Sequence, residues 1–171
     1  MKGEKGFTIT ELLIGMIIMA IVVLAASMSI GQMYRITRLN NDWSIAVRQA
    51  QNAGYWLSHD AIMSIDIMGD NNLTSESGNF TLEWIEWDTG NINFINYSLI
   101  PSPDGLYRLK RIKTVEFNGT VILTAESVIA DHIESIRWSP VGDDLHFTTE
   151  AVSRSKSATR EYVVSPRVKS N

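Results

Sequence analysis

One long apolar run near the start constrains this chain more than anything after it. From Phe7 to Ile30 the sequence FTITELLIGMIIMAIVVLAASMSI carries a single charged side chain, Glu11. At about 1.5 Å of rise per residue, a helix of that length crosses a hydrocarbon core of roughly 30 Å. A carboxylate near the end of such a segment costs a few kcal/mol, on the order of 2.5 to 3.5 at mid-helix, so it is normally kept only where a partner neutralises it. A secretory signal peptide would end in a small-residue A-x-A site, but here GQMYRITRLNNDW follows, so the apolar segment is expected to stay on the protein. Lys2 and Lys5 precede it and favour a cytoplasmic N-terminus, partly offset by Arg35 and Arg38 beyond it. The bulk of the chain is then expected outside the cytoplasm.

The carboxylate also has a specific setting. GFTITELLI resembles the prepilin signal of bacterial type IV pilins and type II secretion pseudopilins, with Gly6 as the last leader residue, Phe7 as the first mature residue and Glu11 as the fifth. The resemblance implies that a prepilin peptidase cuts between Gly6 and Phe7 and N-methylates Phe7. It also implies that Glu11 serves assembly, and that the helix resides in inner-membrane lipid until the subunit enters a filament. The competing reading is an uncleaved, single-pass anchor carrying a ligand-binding ectodomain.

Composition bounds the remainder. The chain has 171 residues, enough beyond the membrane helix for one small domain with one core. A net charge of −4 argues against nucleic acid as a partner, which would call for a basic patch. There is no cysteine, so the head must rest on its core, and the disulfide-closed loop of many major pilins cannot form. Met28 stands where many major pilins carry a helix-loosening proline. Within the resemblance, both departures point to a minor pilin or minor pseudopilin.

Past the membrane segment Trp43, Ala46, Val47, Ala50, Ala53, Gly54, Leu57 and Ala61 recur at helical spacing, opposite a wet face of Arg48, Gln49, Gln51, Asn52 and His59. Gly69 to Asn72 is expected to end that helix. The period then changes to that of strands: FTLEWIEW, INFINYSLI, LYRLKRIK, TVILTA, SIRWSPV, LHFTTEAV and EYVVSPRV are short, β-branched and aromatic. Turn signals separate them at Asp88 to Asn91, Pro101 to Gly105, Asn118-Gly119 and Gly142 to Asp144. Arg154 to Arg160 is polar and basic and reads as a surface loop. The expected fold is α+β, a long N-terminal helix packed on an antiparallel meander. The divisions are a leader over 1–6, a membrane half over 7–30, an amphipathic half over 31–68 and a sheet head over 69–171. Residues 31–171 are expected to form one ectodomain. The order of helix, YSLIPSPDGLYRLKR, IADHIESIRW and a last strand resembles the J-type minor pseudopilins and W-type minor pilins.

The inventory for catalysis is thin. His59, His132 and His146 are scattered, and no HExxH, glycine-flanked serine or phosphate-binding loop occurs. No cofactor is implied. Asp66 and Asp70, with Asn71 and Asn72, form an oxygen-rich set for which calcium is the only metal worth weighing. A capped helix end explains the same residues. Trp84, Trp87 and Trp138 invite a ligand surface, and core packing competes with it. Sequons at Asn72, Asn79, Asn96 and Asn118 read as loop and strand composition. The expected function is a structural one: a leader-processed subunit that docks on sibling minor subunits and a major pilin to initiate or cap a short filament.

Overall fold

The computed structural model describes residues 8–166. Helix α1 runs unbroken over Ile9–Met63. Its apolar first half is long enough to cross a membrane and exposes every side chain from Leu12 to Ile30. The chain divides into two compact units, Met1–Asn41 and Asp42–Asn171, so the second half of α1 belongs to the head.

Within the head α1 buries Asp42, Ala46, Ala50, Ala53, Gly54, Leu57, Asp60 and Ala61. The seam is one of small residues, which lets the helix lie close on a sheet. Trp43 lies one position off it and is 52% exposed, and Val47 is half-buried, so those two members of the expected stripe are displaced. Thr149 Oγ1 donates to the Ala50 carbonyl at 3.0 Å, a close approach that the alanines permit. At Gly54 there is no room at all: a Cβ there would sit 1.9 Å from Cε2 of Tyr162.

The helix stops at Met63 rather than at residue 68. Ser64 turns the chain by bonding the Ala61 carbonyl with both its amide and its hydroxyl, at 3.1 and 2.8 Å. Ile65 then donates its amide to Glu83 O at 2.7 Å, and pairing has begun. Eight strands follow: β1 (Asp66–Gly69), β2 (Asn72–Leu73), β3 (Asn79–Ile85), β4 (Ile92–Pro101), β5 (Tyr107–Phe117), β6 (Thr120–Val141), β7 (Asp144–Ser153) and β8 (Lys156–Val164). All pairings are antiparallel, in the order β1-β3-β4-β5-β6-β7-β8, with β2 seated on β6 opposite Ile136 and Arg137. The α+β class and the antiparallel meander are thus as the sequence implies.

Two expectations on the strands are corrected. TVILTA and SIRWSPV are not separate strands but the two ends of β6, joined through an irregularity at His132, whose φ is 58°. The amide of neighbouring Asp131 leaves the ladder and donates to Gln49 Oε1 at 2.9 Å, which satisfies the backbone there. Likewise Arg154 to Arg160 is not a loop. Arg154 (φ 55°) makes the β7–β8 turn and β8 begins at Lys156, its polar residues lining a strand with one wet face. Asn118 and Gly119, with φ of 49° and 74°, form the type I′ turn that an Asn-Gly pair favours between β5 and β6. The core centres on Phe80, stacked on Tyr97 at 5.2 Å between ring centroids and tilted against Phe147 at 6.5 Å, with Leu57, Leu82, Ile95 and Leu109 fully buried around it.

Candidate functional site: the N-terminal assembly segment

Thr8 and Glu11 form a reciprocal cap at the helix start. The Glu11 carboxylate accepts from the Thr8 amide at 3.0 Å and from its hydroxyl at 2.9 Å, while Thr8 Oγ1 accepts from the Glu11 amide at 3.3 Å. This is the T-x-x-E capping box, which satisfies amide donors that a helix N-terminus would otherwise leave without partners. Glu11 therefore stands in the first turn of α1 rather than deep within it, its charge next to the positive end of the helix dipole. The spacing of Thr8 and Glu11 was a readable signal for this cap. Gly6 and Phe7, the residues of the expected cleavage and methylation, lie outside the described residues.

Below the cap the segment is built for an apolar surrounding. Ser27 and Ser29 return their hydroxyls to the carbonyls of Val23 and Ala25, at 2.8 and 3.0 Å, so neither is left unsatisfied in lipid. Gly15 and Gly31 have open space around them.

The head contains a buried ionic cluster that the sequence reading missed. Asp60 is 2% exposed on the helix seam. It accepts a fork from Arg111 of β5, Nε to Oδ2 at 2.7 Å and Nη2 to Oδ1 at 3.0 Å, together with the Tyr97 hydroxyl of β4. The Arg111 guanidinium also lies 5.0 Å above the Trp56 ring. Burial pushes the Tyr97 hydroxyl well above the ordinary tyrosine value, and the adjacent Asp60 charge adds to the rise. The available signal was a carboxylate one turn past Leu57 on an otherwise apolar stripe. All members of the cluster are engaged with one another, so its work is to fix the helix on the sheet.

The remaining candidates disperse. Asp66 Oδ1 accepts from the Ile67 amide and Asp70 Oδ2 from the Asn79 amide, each as a local backbone partner. Among the described residues no group of three His, Asp or Glu side chains is placed to hold a metal. Trp84 and Trp138 pack in or against the core, the latter donating Nε1 to the Asp70 carbonyl, whereas Trp87 is 81% exposed.

The comparison that bears on this segment concerns its first turns. Residues 1–27 match the model of the prokaryotic N-terminal methylation motif. That motif, followed by a long apolar helix and an antiparallel β head, is consistent with a type IV pilin-like protein, membrane-anchored by a single pass. It implies processing by prepilin peptidase and assembly with other pilins in general. No curated protein and no solved structure matches the chain.

Proposed function

We propose that this chain is a minor pseudopilin or minor pilin, a structural subunit that initiates or caps a type II secretion pseudopilus or a type IV pilus and performs no covalent chemistry. The observation that carries the reading is the methylation motif over residues 1–27 at the head of an exposed apolar helix. The minor assignment is supported by the cysteine-free head and by the absence of proline from residues 7–30. The apolar helix holds the subunit in the bacterial inner membrane with the head outside the cytoplasm. Docking of that head on sibling minor subunits places it in the filament.

Leader removal tests the reading. Cleavage between Gly6 and Phe7 suits a peptidase that must thread a thin, extended backbone at the cut, since glycine offers no side chain there. Intact-mass spectrometry of protein extracted from membranes should give a chain beginning at Phe7 and carrying a methyl group. A chain beginning at Met1 would instead favour the uncleaved anchor with a ligand-binding ectodomain.

A further inference from the structure

Strand β6 is flanked by strands on both sides only within Ile133 to Arg137. β5 covers one side from Thr120, opposite Phe117, to Ile133, opposite Tyr107, and β2 takes over that side at Ile136. The other side is joined by β7 at Ile133 and beyond. Among the described residues no strand lies against that second side of Thr120–Ala130, and within it the ladder to β5 is regular from Leu123 to Val128, between bulges at Ile122 and Ile129, so β6 presents a regular open edge about 20 Å long at ~3.4 Å per residue. Every residue from Thr120 to Val128 is exposed, with Val121, Ile122, Leu123 and Val128 between 47% and 57%.

Long apolar edges are ordinarily guarded by lysine, proline, bulges or brevity, because they template pairing with other chains. Between its two bulges, from Leu123 to Val128, this edge is lightly guarded. Its one charge, Glu126, is held by Lys110 Nζ at 2.7 Å, and it contains neither proline nor glycine. The terminal edges of the sheet differ: β1 has four residues, and β8 carries Lys156, Arg160 and Glu161.

We propose that the free edge of β6 accepts an extended strand from the head of another pilin-type subunit by β-sheet addition. The inference rests on the proposed role and names the surface that serves it. Outward N–H and C=O groups at alternate residues call for the backbone of a strand, and the apolar, charge-neutral flanks call for an uncharged one. A second copy of this chain fits less well. A twofold axis through the edge would pair β6 with itself antiparallel and reverse the direction of residues 42–63 of α1, which pack along the sheet. Subunits of one filament share one polarity, so such a pair could not stack, and the other edges of a second copy do not match: β1 has four residues and β8 carries Lys156, Arg160 and Glu161.

Photo-crosslinking of the full chain in cells that make its sibling subunits tests this. Benzoylphenylalanine replaces Thr124 on the edge or, separately, Ala20 in the membrane segment. The expected Thr124 adduct joins a strand peptide of another subunit that carries an N-terminal methylation motif. It is lost on Val121→Lys with Val128→Lys, which set the usual edge guards on exposed positions, and it survives Val163→Lys on β8. Unchanged melting of the lysine variants excludes unfolding as the cause. An adduct only between two copies of this chain, or one indifferent to the edge lysines, overturns the inference. Adducts at Ala20 without any at Thr124 overturn it while leaving the subunit role intact, and absence of both overturns the two together.

Discussion

The residue that decides how the head is held is Asp60, a carboxylate whose desolvation is offset by three donors from two strands. Removing one partner of a buried pair leaves an uncompensated charge, typically at a cost of about 3 to 5 kcal/mol, whereas replacing the whole group by apolar residues is often neutral. Asp60→Ala should therefore lower head stability by about that amount in chemical denaturation, and Asp60→Leu with Arg111→Met and Tyr97→Phe should recover most of it. The same group gives the head a signature at high pH. With its proton bound more tightly in the folded state, Tyr97 contributes stability that is complete below the unfolded tyrosine value of about 10. That contribution is lost as pH rises towards the raised folded value. Tyr162, also raised by burial, acts in the same direction. Melting midpoints should fall above pH ~10 in the native chain and fall less in Tyr97→Phe, which cannot ionise; parallel curves would remove Tyr97 from the account.

At the scale of elements, the existence of the long helix and of the strands was legible because each follows one period. Their boundaries were less so, because tertiary pairing set them. Ile65 and Ile67 alternate as a strand does, yet Gly69 drew the helix end past them; what stops α1 is Ser64 bonding back to Ala61 and Glu83 offering a ladder carbonyl. In β6 the histidine at φ 58° leaves no compositional mark, so a continuous strand read as two. Asp60 was hidden for a different reason: its partners lie 37 and 51 residues away and only the sheet register brings them together. The helix seam makes its own prediction. Gly54→Ala puts a methyl where the Tyr162 ring stands, an overpacking that should cost about 1 to 3 kcal/mol. Tyr162→Leu in the same chain should restore much of the loss, as thermal unfolding of the two variants would show.

For the whole molecule, the chain divides at Asn41 into an N-terminal helical unit and the head. The head, Asp42–Asn171, carries the core and the Asp60 group, while Glu11 belongs to the other unit and its carboxylate is hydrogen-bonded to Thr8. With the proposed cleavage after Gly6, Phe7 would bear a positive amine close in sequence to this cap, and a carboxylate in lipid gains most from a full positive charge. Staggered helices would bring the amine of one subunit to the carboxylate of the next, exchanging the Thr8 hydroxyl and amide for an ionic partner. Glu11→Leu should then leave cleavage and head melting unchanged and deplete the subunit from the complex it forms with its siblings. Glu11→Asp, which keeps the charge at shorter reach, should have a smaller effect. Thr8→Val separates capping from assembly: it removes the hydroxyl and retains the carboxylate, so it should fray the first turn, costing about 0.5 to 2 kcal/mol locally, without depleting the complex. Co-purification of each variant with the sibling subunits measures the outcome, and wild-type recovery with Glu11→Leu would show that the carboxylate serves the cap alone.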